Sequence, residues 1–273
     1  MRFSEILLAA TTVTGAIWAL DTLFLRHQRM MTVLPESGQK VKEPWWVEYA
    51  RSFFPILLVV FILRSFLAEP FRIPSGSMKP TLLEGDFIVV NKYDYGLRLP
   101  VFGYKLLSIG EPKRGDIIVF KHIKSTGESI DMIKRVVGLP GDHIEYKNKV
   151  LSINGKPMKQ DFQMETTDVS SQGKVFPVRE FKEDLETLQH AIYIHPETTS
   201  HERFYHYDDV VVPPNCYFAM GDNRDNSEDS RVWGFVKDED IQGRAFAIWM
   251  SWDSDASQII DKVRWHRLGT RIR

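Results

Sequence analysis

The 273-residue chain has one cysteine, Cys216, which excludes an internal disulfide and any cysteine-built metal site. A lone thiol does not fix the compartment. An excess of either charge is also missing. Thirty-five basic side chains face 36 acidic ones, leaving a formal net charge of −1. The basic face that marks a nucleic-acid binder is therefore absent, and no nucleic-acid partner is expected. Repeats and low-complexity tracts are lacking too. The mean hydropathy of −0.24 is that of a soluble protein, but an average conceals short apolar runs.

Two such runs stand out. Ile6 to Leu25 is long enough to cross roughly 30 Å of hydrocarbon as a helix, with Asp21 near one end as its only formal charge. Ser52 to Ala68 is slightly short and carries Arg64, close enough to the end to snorkel. Trp45 and Trp46 precede it, as an interfacial belt would. Arg2 is offset by Glu5, and no A-x-A cleavage site follows the first run, so we read an uncleaved anchor over 1–25 and a second over 52–68. Arg26, Arg29, Lys40, Lys42 and Arg51 lie between them, which places 26–51 in the cytoplasm and everything after 68 outside. The rival reading of the second run is a buried core helix, kept open by Arg64 and Pro55.

Beyond residue 68 the sequence is β-type. "DFIVVNKY" (86–93), "GDIIVFKHI" (115–123), "DMIKRVVGL" (131–139), "DHIEYKN" (142–148) and "VLSING" (150–155) are short β-branched runs divided by Gly, Pro, Asn and Asp. Asn154-Gly155 signals a hairpin turn. Residues 156–208 are more polar, with 178–190 hinting at a helix; "DVVVPPNCYFAMGDN" and "GRAFAIWMSW" (243–252) return to strand. The expected fold is mainly β: an antiparallel sheet core over 69–142 and 214–273, interrupted by a β-rich insertion at 143–213 and preceded by two transmembrane helices. The basic tail "KVRWHRLGTRIR" reads equally as a lipid contact or a solvated end.

Three stretches carry candidate chemistry. In "PSGSMKPT", Pro74 and Pro80 forbid a regular helix and Gly76 permits backbone shapes other residues resist. Extended backbone would point Ser75 and Ser77 the same way, one hydroxyl to attack and the other to donate to an oxyanion; a plain loop is the alternative. None of the eight histidines sits in a catalytic context, and most read as surface residues of the insertion. "HERFYH" (201–206) has one residue too many for a zinc-protease motif, so no metal site is expected. In "DMIKRVVGLPGD", alternation puts Met132, Lys134 and Val136 on one face and Ile133, Arg135 and Val137 on the other, so burying either face buries a cation. A lysine can shed its proton when desolvated; lowering its pKa from ~10.4 to ~8 costs about 3 kcal/mol and makes it a usable base. An edge-strand lysine in water is the alternative. In "MGDNRDNSEDSRVWG", Asp222, Arg224, Asp229 and Arg231 can cross-link a loop, and Ser227 can orient a neutral amine.

Taken in order, the two anchors, "SGSMKPTL", "GDIIVF", "IKRVVGLPGD" and "GDNRDNSEDSR" resemble the bacterial type I signal peptidases, or leader peptidases. The likeness is close over about 50–142 and 213–250 and loose elsewhere. It implies Ser77 as nucleophile and Lys134 as general base, without histidine. It implies an oxyanion hole from the Ser77 amide and the Ser75 hydroxyl, Ser227 aiming the Lys134 amine, and ion-pair support from Asp229, Arg231 and Arg135. Phe71, Ile73, Pro74, Met78, Leu82, Ile88, Met132 and Ile133 match groove-lining positions, with Met132 standing where close relatives carry an aromatic. The implied reaction removes signal peptides from exported preproteins after small residues at −1 and −3, at the bacterial inner membrane on its periplasmic side. The expected partners are preprotein signal peptides and membrane phospholipid, and no cofactor is expected. Ser77 follows Ala68 by nine residues, a span of at most ~30 Å, so the nucleophile belongs near the outer membrane boundary. Two rivals stand beside this reading. One is a membrane-anchored, non-catalytic β-domain. The other is a self-cleaving repressor-type protease, disfavoured by anchors in place of a DNA-binding domain.

Overall fold

The computed structural model describes residues 3–31, 43–98, 105–170, 173–186, 188–196, 206–254, 256, 258 and 260–272. The chain forms two compact units, one running to Ala68 and the other from Glu69 to Leu97 and onward from Lys105. Lys40 and Lys42 of the basic loop, and all of "HERFYH" except His206, lie outside the described residues.

The first unit is helical. Helix α1 (Phe3–Leu20) continues through a π-turn at Asp21–Leu25 into α2 (Arg26–Met31), and α3 (Trp45–Ile62) continues through a second π-turn at Leu63–Leu67. Spans Glu5–Leu25 and Trp45–Leu67 are long and apolar enough to cross a membrane. The core-helix reading of the second run fails on burial, because within α3 only Val47 and Ala50 are buried while Ile56, Val59 and Val60 face outward. Trp45 and Trp46 do not precede this helix; they form its first turn. Trp18 packs on Phe54 with ring centroids 5.4 Å apart. Asp21, buried within the helix, takes a salt bridge from Arg29 at 2.5 Å.

The second unit is mainly antiparallel β. In chain order come β1 (Ala68–Arg72), β2 (Asp86–Asn91), the short pair β3 (Leu97–Arg98) and β4 (Lys105–Leu107), then β5 (Ile117–Ile123) and β6 (Ser129–Gly138). Next are β7 (His143–Lys147), β8 (Val150–Ile153) and β9 (Lys156–Pro157), then β10 (Lys159–Val169), β11 (Val175–Asp184) and β12 (Gln189–Ile194). The chain closes with β13 (His206–Val211), β14 (Cys216–Met220), the one-turn helix α4 (Ser230–Trp233), β15 (Val236–Lys237) and β16 (Ile241–Ser251). A seven-stranded sheet in the order β1-β2-β16-β5-β6-β14-β15 is the main body. Smaller sheets β13-β7-β8-β9 and β10-β11-β12 are built from residues between 143 and 211.

The strand reading survives wherever β-branched runs met turn residues. Asn154 and Gly155 both take positive φ, 54° and 76°, and close the β8–β9 hairpin. The helix hint at 178–190 is wrong. Residues 178–184 belong to β11 and 189–190 to β12. Val178, Glu183, Leu185 and Ile192 are buried, and β11 pairs along its whole length with β10, from Val169↔Val175 to Lys159↔Asp184. Glu, Lys and Leu favour helix only weakly, and this pairing overrides them. The tail is partly tied to the second unit while Trp265 and Leu268 remain exposed. Arg267 donates to Asp86, Arg264 pairs with Asp253, and Ile272 N donates to Phe246 O.

Ile73, Met78, Leu82, Ile88, Ile117, Val119, Ile133 and Ile248 form one core cluster on one face of the main sheet. Ile118, Phe120, Val136 and Tyr217 belong to another. With both faces covered, β6 is buried from Ile133 to its end.

Candidate active site

After β1 the chain enters a short turn. Ser75 is extended (φ −137°, ψ 158°), and Gly76–Met78 make one turn of 3-10 helix. The two prolines exclude anything longer. Met78, Leu82 and Ile73 plunge into the core cluster and pin the turn on both sides. The Ser75 and Ser77 hydroxyl oxygens are 3.5 Å apart; Ser75 is exposed and Ser77 only 9% so. Gly76 is not in the left-handed region, contrary to the conformational freedom expected of it. A Cβ there would come within 3.0 Å of Glu84 Oε1 and 3.1 Å of Lys79 Cε, both on flexible side chains.

Lys134 enters from β6, where it pairs with Ile118 of β5. Its Nζ lies 2.7 Å from Ser77 Oγ, and the residue is 3% exposed. Desolvation pushes the amine down to about 8 against the pull of Asp229 and Asp222. Lys134 and Arg135 are both buried, because both faces of the sheet are covered. Arg135 solves its own burial by donating from Nε to Asp222 Oδ1 at 2.9 Å, from Nη2 to Asp222 Oδ2 at 2.8 Å, and from Nη1 to Gly115 O at 2.8 Å. Burial alone would raise the Asp222 carboxyl, but Arg135 and His190 hold it well below the usual carboxylate range. Thr81 Oγ1 donates to the same carboxylate at 2.5 Å and so ties the nucleophile segment to it.

The 220–231 loop closes the site. Asp229 caps α4, accepts from Gly221 N at 3.0 Å, and takes Arg231 Nε and Nη2 at 2.8 Å each. Arg231 Nη2 also donates to Arg224 O at 2.6 Å. Gly221 is required by space, since a Cβ there would fall 2.2 Å from Ser227 Oγ and 2.5 Å from Ser77 O. Asn223 N donates to Ser77 O at 3.1 Å, and its Nδ2 donates to Gly76 O at 3.1 Å.

Ser77, Lys134, Ser75, Asp229, Arg231 and Arg135 are thus brought to one region of the fold. One expectation fails. Ser227 Oγ is buried without a hydrogen-bond partner, so the bond that would aim the Lys134 amine is not formed. Met132 packs against the cluster that holds Phe120, with Trp233 also packed on it. Ile73, Met78, Leu82, Ile88 and Ile133 lie together with Phe71 packed on them, and Pro74 is exposed nearby in sequence. The surface reading of the histidines fails for His190 and His195, both buried; His190 Nε2 lies 3.1 Å from Glu183 Oε2. Asn223, Thr81, Lys79 and Asp168 escaped the sequence reading. Position inside "GDNRDNS" was the only signal for the first, and the others act across separations of 89 to 141 residues. Among the described residues no cluster of His, Cys, Asp and Glu is arranged to hold a metal.

A family profile described as "Signal peptidase, peptidase S26" matches residues 46–252. Signal peptidase I of Pseudomonas aeruginosa is 42% identical over 274 residues, covering 92% of this chain and 93% of the relative. That of Pseudomonas fluorescens is 41% identical with the same coverage. The Haemophilus influenzae protein of that name is 33% identical over 99% of this chain and 92% of its own. A crystal structure of a signal peptidase I from Enterococcus faecalis aligns to 50% of this chain and 98% of its own at 27% identity, with a TM-score of 0.31. The chain belongs to the signal peptidase family, peptidase S26.

Proposed function

We propose that this chain is a membrane-anchored serine endopeptidase that removes N-terminal signal peptides from exported preproteins, with Ser77 as nucleophile and Lys134 as general base. The 2.7 Å approach of a buried, desolvated amine to the Ser77 hydroxyl carries the reading. Near neutrality about a tenth of an amine with a pKa of 8 is uncharged. Such an amine takes the Ser77 proton as Oγ attacks the scissile carbonyl, and returns it to the departing amino group. The Ser77 amide and the Ser75 hydroxyl receive the oxyanion. The amine then deprotonates the water that releases the acyl-enzyme. Arg135–Asp222 and Arg231–Asp229 hold the surrounding loop.

The preprotein lies as an added strand against the Ile73–Met78–Ile133 surface. That surface is already filled by core side chains, which supports a preference for small residues at −1 and −3. The chain before residue 69 anchors the enzyme in the bacterial inner membrane, with 26–51 cytoplasmic and the catalytic side periplasmic. Residues 143–213 are an insertion in the catalytic domain. Trp249, Phe246 and Trp265 are exposed aromatic side chains suited to phospholipid contact.

The test is cleavage of a preprotein in detergent by wild type, Ser77→Ala and Lys134→Ala. A loss of at least about 10³-fold in each variant is expected. Equal cleavage by all three would end the Ser77–Lys134 proposal, and no cleavage by wild type would favour the non-catalytic binding domain.

A further inference from the structure

We propose that Asp168, near the end of β10, is a positioning residue that holds the nucleophile turn in register by orienting the Asn223 amide. The inference rests on the reading of Ser77 and Lys134 as the reacting pair. Strand β10 is largely solvent-facing, with Phe162 and Met164 more than half exposed. Asp168 is the exception at 3% exposure. A carboxylate so buried needs partners for both oxygens, and it has two. Lys79 Nζ donates to Oδ1 at 2.8 Å, and Asn223 Nδ2 donates to Oδ2 at 2.8 Å.

Both partners act on the turn. Lys79 stands two residues after Ser77, and its Nζ donates again to Val169 O at 2.6 Å. Asn223 Nδ2 gives its other proton to Gly76 O at 3.1 Å, while its backbone amide donates to Ser77 O at 3.1 Å. The Asn223 side chain is therefore flanked by two acceptors, the Asp168 carboxylate and the Gly76 carbonyl. Only its NH₂ end fits between them, because the carbonyl end would oppose two lone-pair-bearing oxygens. The Asn223 Oδ1 atom is left buried without a partner, a cost accepted so that the donors face the turn. Asp168 thus selects the amide orientation that holds the Gly76 carbonyl, beside the Ser77 carbonyl that the Asn223 backbone amide holds. Catalytic groups need placement to within about half an ångström, and here a residue 91 positions beyond the nucleophile supplies it.

The test uses the full chain in detergent with a preprotein substrate and two paired variants. Lys79→Met/Asp168→Leu replaces the ion pair by apolar side chains and removes the Asn223 acceptor. Lys79→Met/Asp168→Asn also removes both charges but keeps an acceptor oxygen. Thermal unfolding is followed for both. The Leu pair is expected to fold and to lose about 10- to 100-fold in kcat, with KM within about twofold. The acid limb of its kcat/KM profile should move upward as the loosened turn admits water to Lys134. The Asn pair should stay within about threefold of wild type with an unmoved limb. Equal kinetics of the two pairs, at whatever level, overturns the role of Asp168. Ser77→Ala runs alongside. If it still cleaves, the reacting-pair reading itself fails; if it is inactive and the pairs are equal, only the role of Asp168 is lost.

Discussion

Replacing Lys134 with Met should abolish cleavage and yet stabilise the fold in a pH-dependent way. In the folded state the amine sits near 8, against an ordinary value of 10.5. Each pKa unit is worth about 1.4 kcal/mol, so below pH 8 the fold carries about 3 kcal/mol of unfavourable charge burial. Between pH 8 and 10.5 the unfolded chain binds the proton and the folded chain does not. Wild-type stability therefore gains on the variant as pH rises through that window. Methionine fills most of the same volume and has nothing to titrate. Urea unfolding followed by circular dichroism, at pH 6.5 and pH 10.5, measures the difference between the two proteins, and other titrations cancel in the subtraction. The variant's relative stability should be higher at pH 6.5 than at pH 10.5 by about 3 kcal/mol. A difference that does not change with pH would mean that the amine titrates alike in both states, and the desolvation argument would be refuted.

Other perturbations read different parts of the site. Arg135→Met leaves Asp222 buried without its bidentate partner and should cost about 3–5 kcal/mol in the same unfolding assay, whereas Arg135→Met/Asp222→Leu should recover much of it. Gly221→Ala drives a methyl toward Ser77 O and Ser227 Oγ; kcat should fall by about 10²-fold with little change in KM. Glu183, Asp222 and Asp229 are all held below the usual carboxylate range by their cationic partners, despite burial. Their contribution is complete above the ordinary carboxylate values and is lost as pH falls through the depressed ones. Acid unfolding, followed by circular dichroism, should therefore begin only below about pH 4.

Strands were legible where β-branched runs ended in Gly, Asn or Pro, because those signals act within a few residues. The 178–190 stretch misled because its composition favours helix, while its state is set by pairing with β10 and β12. Ser77 and Lys134 were singled out by the family likeness, since taken alone a hydroxyl between prolines reads as a loop and a strand lysine as an edge residue; their 2.7 Å approach is a long-range fact that neither stretch encodes by itself. Which of Lys134 and Arg135 would be buried was not decidable from alternation, because the sheet is covered on both sides. Alternation did separate Met132 from Ile133, which pack in different apolar clusters. Asn223 and Asp168 were invisible for another reason. A hydrogen bond between positions 55 residues apart leaves no pattern in the chain.

The most direct measurement is a titration of the Lys134 ε-carbon in ¹³C-lysine-labelled protein, followed by NMR and assigned by its disappearance in Lys134→Met. A midpoint near 8 is the expected result. A midpoint at the solution value of about 10.4 would contradict the claim that burial frees this amine to act as the base.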